Sequence, residues 1–89
     1  MSLTNHIESI IKNALPNATI YVVDPHNDGE HFEAIVICES FNEKSLVQQH
    51  QSVMKPLKEA FDSTVHALAL KTFTPERWEK DKHRYPMAT

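Results

Sequence analysis

The sequence predicts an α+β domain: helix, strand, strand, helix, short helix, strand, helix, with the three strands in one mixed sheet. Three observations predict it. Leu3, Ile7, Ile10, Ile11 and Ala14 repeat at helical spacing. Two β-rich stretches flank Asp28-Gly29, a turn pair that favours an antiparallel hairpin. A third β-rich stretch returns only after a helical crossover, which favours parallel pairing with a right-handed connection.

Each element follows from local chemistry. Ser2 or Thr4 caps the first helix and Pro16 stops it. Ala18 to Asp24 is β-rich, with Thr19, Ile20, Tyr21, Val22 and Val23 in succession. The turn Pro25-His26-Asn27-Asp28-Gly29 leads to a strand from His31 to Ser40. In that strand Phe32, Ala34, Val36 and Cys38 share the core face, and Glu33 and Glu39 share the other. Phe41 to Lys44 connects to a helix capped by Ser45 and carrying Leu46, Val47, His50 and Val53. Pro56 is expected to break or kink it, leaving a second helical piece from Leu57 to Phe61. The strand that opens at Val65-His66 runs to Phe73. Thr74 caps the last helix, Pro75 suits its first turn, and Trp78 folds back onto the sheet. Residues 1–80 form one domain, and 81–89 read as a flexible polar tail.

Composition narrows the function. The chain has 89 residues, 40% hydrophobic and 24% charged, enough for one modest core. The net charge of -3 argues against general attraction to nucleic acid or anionic membrane. No apolar run approaches the length of a membrane span, and no secretory signal pattern opens the chain, so a cytoplasmic location is expected. The one cysteine, Cys38, reads as a small buried hydrophobe. The one glycine, Gly29, excludes Gly-rich phosphate loops and the GxxG clamp of RNA-binding KH domains. No serine or cysteine sits in a nucleophile setting, so an enzyme is not expected.

The six histidines are the chemistry worth following. If the second and third strands are parallel neighbours, their starts lie at one end of the sheet, about 4.8 Å apart. His31 and His66 then approach each other, and His26 lies in the turn at that end. By alternation His31 points away from the core face, whereas His66 shares a parity with Leu68 and Leu70; a bulge would reconcile the two. Two or three histidines do not complete a tetrahedral structural zinc site. Such a site would need ligands from a second molecule. His6 and His50 read as ordinary helix residues.

Asp28-Gly29-Glu30-His31-Phe32, Phe41-Asn42-Glu43-Lys44, Leu46 through Val53, Val65-His66-Ala67-Leu68 and Thr72-Phe73-Thr74-Pro75-Glu76-Arg77-Trp78 together resemble the BolA family. His-Ala followed by Thr-Pro-x-x-Trp is the most specific part. The short hairpin is similar to the compact bacterial branch. The resemblance implies a class II KH-like fold with helices on one face of a three-stranded mixed sheet. It implies a non-enzymatic adaptor for iron–sulfur trafficking or iron and redox sensing. Such an adaptor pairs with a monothiol glutaredoxin, with its glutathione, and shares a [2Fe-2S] cluster. On that basis His66 ligates iron, and the hairpin supplies a second ligand, His31 first and His26 second. The isolated chain is expected to hold no cluster and to be a monomer or weak homodimer. The alternative is a DNA-binding transcriptional regulator of BolA type. Asn42-Glu43 stand where many members have a glycine, and Gln49 and Gln51 where they often have basic residues, which weakens contact with phosphates.

Overall fold

The computed structural model describes residues 3–27, 31–61 and 67–85. The first helix, α1, spans Leu3–Ala14. Ile7 and Ile11, one turn apart, are fully buried, and Ile10 packs beside them. The helix ends two residues before Pro16, where the Leu15 N–H donates to the Ile11 carbonyl at 2.8 Å. Lys12 Nζ donates to the Ala18 carbonyl at 2.7 Å and ties the helix to the strand that follows.

Strand β1 is Thr19–Val23 and β2 is His31–Ile37. They pair antiparallel, from Thr19 opposite Ile37 to Val23 opposite Glu33. In the connection, Asn27 has φ 52, the left-handed region in which asparagine is favoured over most side chains. Asp28-Gly29, the expected tip, lies outside the described residues. Phe32, Ala34, Val36 and Cys38 are buried as alternation predicts.

Alternation predicts that β2 reaches Ser40, but the strand ends at Ile37. Glu39–Glu43 form a 3₁₀ turn instead. Phe41 explains the difference. In a continuing strand it would lie on the face of Glu33 and Glu39; the turn swings it into the main core, where it is fully buried.

Helix α2 is Leu46–Phe61. It opens with a reciprocal capping pair: Gln48 N–H donates to Ser45 Oγ at 3.2 Å, and Ser45 N–H to Gln48 Oε1 at 3.0 Å. The expected break at Pro56 does not occur, and the helix is continuous. Proline removes one backbone bond, but Val53 and Leu57 on either side are held in the core. The expected apolar stripe is also rotated. Leu46 and Val47 are 62% and 65% exposed. Gln49 turns inward in their place.

Strand β3, Ala67–Phe73, lies parallel to β2, from His31 opposite Ala67 to Ile37 opposite Phe73. The sheet order is β1-β2-β3, a mixed sheet. Helices α1 and α2 cover one face, and the main core lies between. The short helix α3, Pro75–Asp81, differs from the expectation of helices on one face only. It opens on Thr74, whose Oγ1 accepts from Arg77 N–H at 3.2 Å, and carries Trp78 onto the opposite face. There Trp78 meets Phe73, Ile35 and Ile37. The tail expected from residue 81 is packed as far as Tyr85. Lys82–Arg84 form a 3₁₀ turn, and the Tyr85 ring lies 5.6 Å from Phe73 and 5.8 Å from Trp78. Among the described residues no helix is long and apolar enough to cross a membrane.

Candidate functional site

Parallel pairing decides where the histidines go. Because β2 and β3 run the same way, both begin at one end of the sheet, with His31 opposite Ala67. The turn after β1 carries His26 to that end. The two imidazole rings stand edge to face, with centroids 5.5 Å apart and planes at 87°. Both side chains are exposed. They border a shallow cleft of about 480 Å³ that also includes Pro25, Phe32, Glu33, Leu68 and Ala69.

Two of the three histidines singled out in the sequence are therefore neighbours. The third, His66, lies outside the described residues; in the chain it precedes Ala67, the residue opposite His31. Phe32 is buried while His31 and Glu33 are exposed, so His31 faces away from the α1–α2 core as alternation predicts.

The cleft is rich in nitrogen donors and incomplete as a metal site. Each neutral imidazole offers one nitrogen lone pair. Among the described residues no group of three or more histidine, cysteine or acidic side chains converges. Cys38 cannot join them. It follows the far end of β2, roughly 20 Å away along an extended chain. It is buried, with its sulfur 3.0 Å from Ser40 Oγ. His50 sits half-buried on α2.

Leu68 and Ala69 were not singled out in the sequence as part of this cleft. Their place follows from the register, in which Leu68 is opposite Phe32 and Ala69 opposite Glu33. Register is set by the crossover, and no local motif announces it. A second, more polar groove of about 480 Å³ runs beside α2 between Ser40, Lys44, Gln48, Gln51, Ser52 and Lys55. Its two lysines are accompanied by Glu43.

Comparison with known proteins places the chain in a family. The family profile of BolA-like proteins matches residues 7–77. The chain is 37% identical over 79 residues to the acid stress protein IbaG of Escherichia coli strain K12, covering 88% of this chain and 90% of that protein. It is 29% identical over 86 residues to the DNA-binding transcriptional regulator BolA of the same strain, covering 89% and 82%. Among solved structures, a bolA protein homologue from Coxiella burnetii is 34% identical, with a TM-score of 0.73, over 89% of this chain and 99% of that one.

Proposed function

The chain belongs to the family of BolA-like proteins, and from that premise we propose that it is a non-enzymatic adaptor that shares a [2Fe-2S] cluster with a monothiol glutaredoxin. The observation that carries the reading is the His26–His31 pair at the end of the sheet where β2 and β3 both begin.

The donor chemistry fits half of such a site. A [2Fe-2S] cluster takes four ligands, and two imidazoles can replace two thiolates on one iron. This chain offers His66 with one hairpin histidine. The partner brings its cysteine and the glutathione thiolate. Imidazole ligation raises the potential of the shared cluster relative to an all-thiolate one.

Of the two hairpin histidines, His31 is the better ligand. It stands in the ladder opposite the neighbour of His66, so its backbone is held by pairing with β3. His26 sits in the turn, and its ring packs against His31 and limits how that ring rotates. Exposure of both rings leaves the cleft open to a partner.

Anaerobic reconstitution tests the reading. The chain is mixed with a monothiol glutaredoxin, glutathione, iron and sulfide, and visible absorption and circular dichroism are recorded. A heterodimer with a new cluster spectrum that His66→Ala removes is the expected result. A spectrum identical to that of the glutaredoxin alone, with no heterodimer, would overturn the proposal.

A second reading is DNA binding, favoured by the name of the BolA relative. The groove with Lys44 and Lys55 beside α2 is its candidate surface. The net charge of -3 and the uncharged Gln48 and Gln51 weigh against strong phosphate contact. A gel shift that weakens steeply with salt would favour this reading.

A further inference from the structure

The sheet face opposite α1 and α2 is only partly covered. Tyr21, Ile35, Ile37 and Phe73 pack with Trp78 and Tyr85. Nearer the histidine end that cover stops. A cavity of about 260 Å³ opens there, lined by Glu33, Ile35, Ala69, Lys71, Arg84 and Tyr85.

Its parts come from separate elements and face one space. Ile35 and Lys71 are opposite each other in the β2–β3 ladder, and Glu33 and Ala69 form the next pair on that face. Ile35 and Ala69 make an apolar floor. Tyr85 makes a wall, held by its contacts with Phe73 and Trp78. Lys71 enters from the sheet and Arg84 from the 3₁₀ turn. Glu33, Lys71 and Arg84 form no ion pair with any described residue. Two uncommitted cations thus stand beside a small apolar surface with a fixed aromatic wall.

We propose that this cavity binds a small organic carboxylate. Its compact, preferably aromatic body rests on Ile35 and Ala69 against Tyr85, and its carboxylate lies between Lys71 and Arg84. Arginine supplies the planar fork that suits a carboxylate, and lysine a second charge. The volume is below the roughly 300–1,000 Å³ of pockets for drug-sized ligands, which selects a single-ring molecule. Inorganic phosphate fits less well, because an apolar floor offers nothing to a fully hydrated ion. Glu33 and Ala69 also border the histidine cleft, so the sites are neighbours. The proposal does not rest on the cluster reading.

Isotope-labelled full-length protein titrated with phenylacetate, phenylacetamide and inorganic phosphate, followed by NMR, tests it. Phenylacetate is expected to shift the amides of Ile35, Ala69, Lys71 and Tyr85 with a Kd of about 1 mM, in keeping with so small a ligand. Phenylacetamide, neutral and of the same shape, should bind about fivefold more weakly, the scale of one charge contact near the surface. Lys71→Gln and Arg84→Gln should each weaken phenylacetate about fivefold and leave phenylacetamide unchanged. Glu33→Gln, which removes a like charge, should tighten phenylacetate. These are surface substitutions, and unchanged spectral dispersion shows that the fold is kept. Equal binding of acid and amide, shifts confined to the histidine cleft, phosphate binding as tightly as phenylacetate, or a Kd weaker than about 10 mM would each overturn the proposal.

Discussion

Thr72 Oγ1 donates to Gln49 Oε1 at 2.8 Å, a bond that joins β3 to α2 across 23 positions of sequence. The Gln49 amide nitrogen also donates to the Phe41 and Lys44 carbonyls, at 3.3 and 3.1 Å. One side chain therefore links the third strand, the 3₁₀ turn and the start of the helix. Glutamine here, in place of the basic residue that the family resemblance leads one to expect, has a structural use.

Thr72 is buried, so loss of its hydroxyl leaves Gln49 Oε1 without its donor. Thr72→Val should cost about 1 kcal/mol and Gln49→Ala about 2–3 kcal/mol, since the second removes three bonds. Urea unfolding measures both. The double variant should cost less than the sum by about 0.5–1.5 kcal/mol, because the two share one bond. Strict additivity would mean that the bond contributes nothing.

The rotated face of α2 gives a second prediction. Phe41→Ala should destabilise by about 3–5 kcal/mol, as expected for emptying a fully buried aromatic site. Leu46→Gln and Val47→Gln should each change stability by about 0.5 kcal/mol or less, because both side chains are already in water. A periodic stripe through Leu46 and Val47 would make the opposite forecast. Thermal unfolding of the three variants separates the two.

Pro56 lies inside a continuous helix, where proline normally costs about 3 kcal/mol relative to alanine. Pro56→Ala restores a backbone N–H toward the Ser52 carbonyl. It should stabilise the chain by about 1–3 kcal/mol, the full amount only if the helix carries no compensating bend. A fall in melting temperature would show that the proline shapes the helix as the core requires.

Much of this architecture was legible in the sequence because period and punctuation agree. Ile7 and Ile11 mark α1, alternation from Phe32 to Cys38 marks the buried face of β2, and Ser45 and Thr74 mark two helix starts. What escaped were outcomes of tertiary competition. Phe41 ended a strand early because the core offered it a place. Val53 and Leu57 carried a helix through Pro56. Tyr85 joined Trp78, whose return to the sheet was legible, in covering the second sheet face, which turned Ile35 and Ile37 from surface into core. The histidine site was legible only through topology. The parallel register brings His31 to Ala67, and the turn brings His26 to His31. His66 lies outside the described residues, and its part rests on its place in the chain beside Ala67.

The two hairpin histidines should separate in the reconstituted heterodimer. His31 is anchored in the ladder opposite Ala67 of β3, whereas His26 is in the turn. His31→Ala should therefore remove the spectrum attributed to mixed ligation, as His66→Ala does. His26→Phe keeps an aromatic edge against His31 while deleting the nitrogen donor. It should leave the spectrum in place and change only how fast the cluster is lost to a chelator. Circular dichroism in the visible range reads the first effect, and decay of absorbance under chelator the second. If His26→Phe removes the spectrum and His31→Ala does not, the ligand is the turn histidine, and the fixed backbone of His31 serves only to hold it in place.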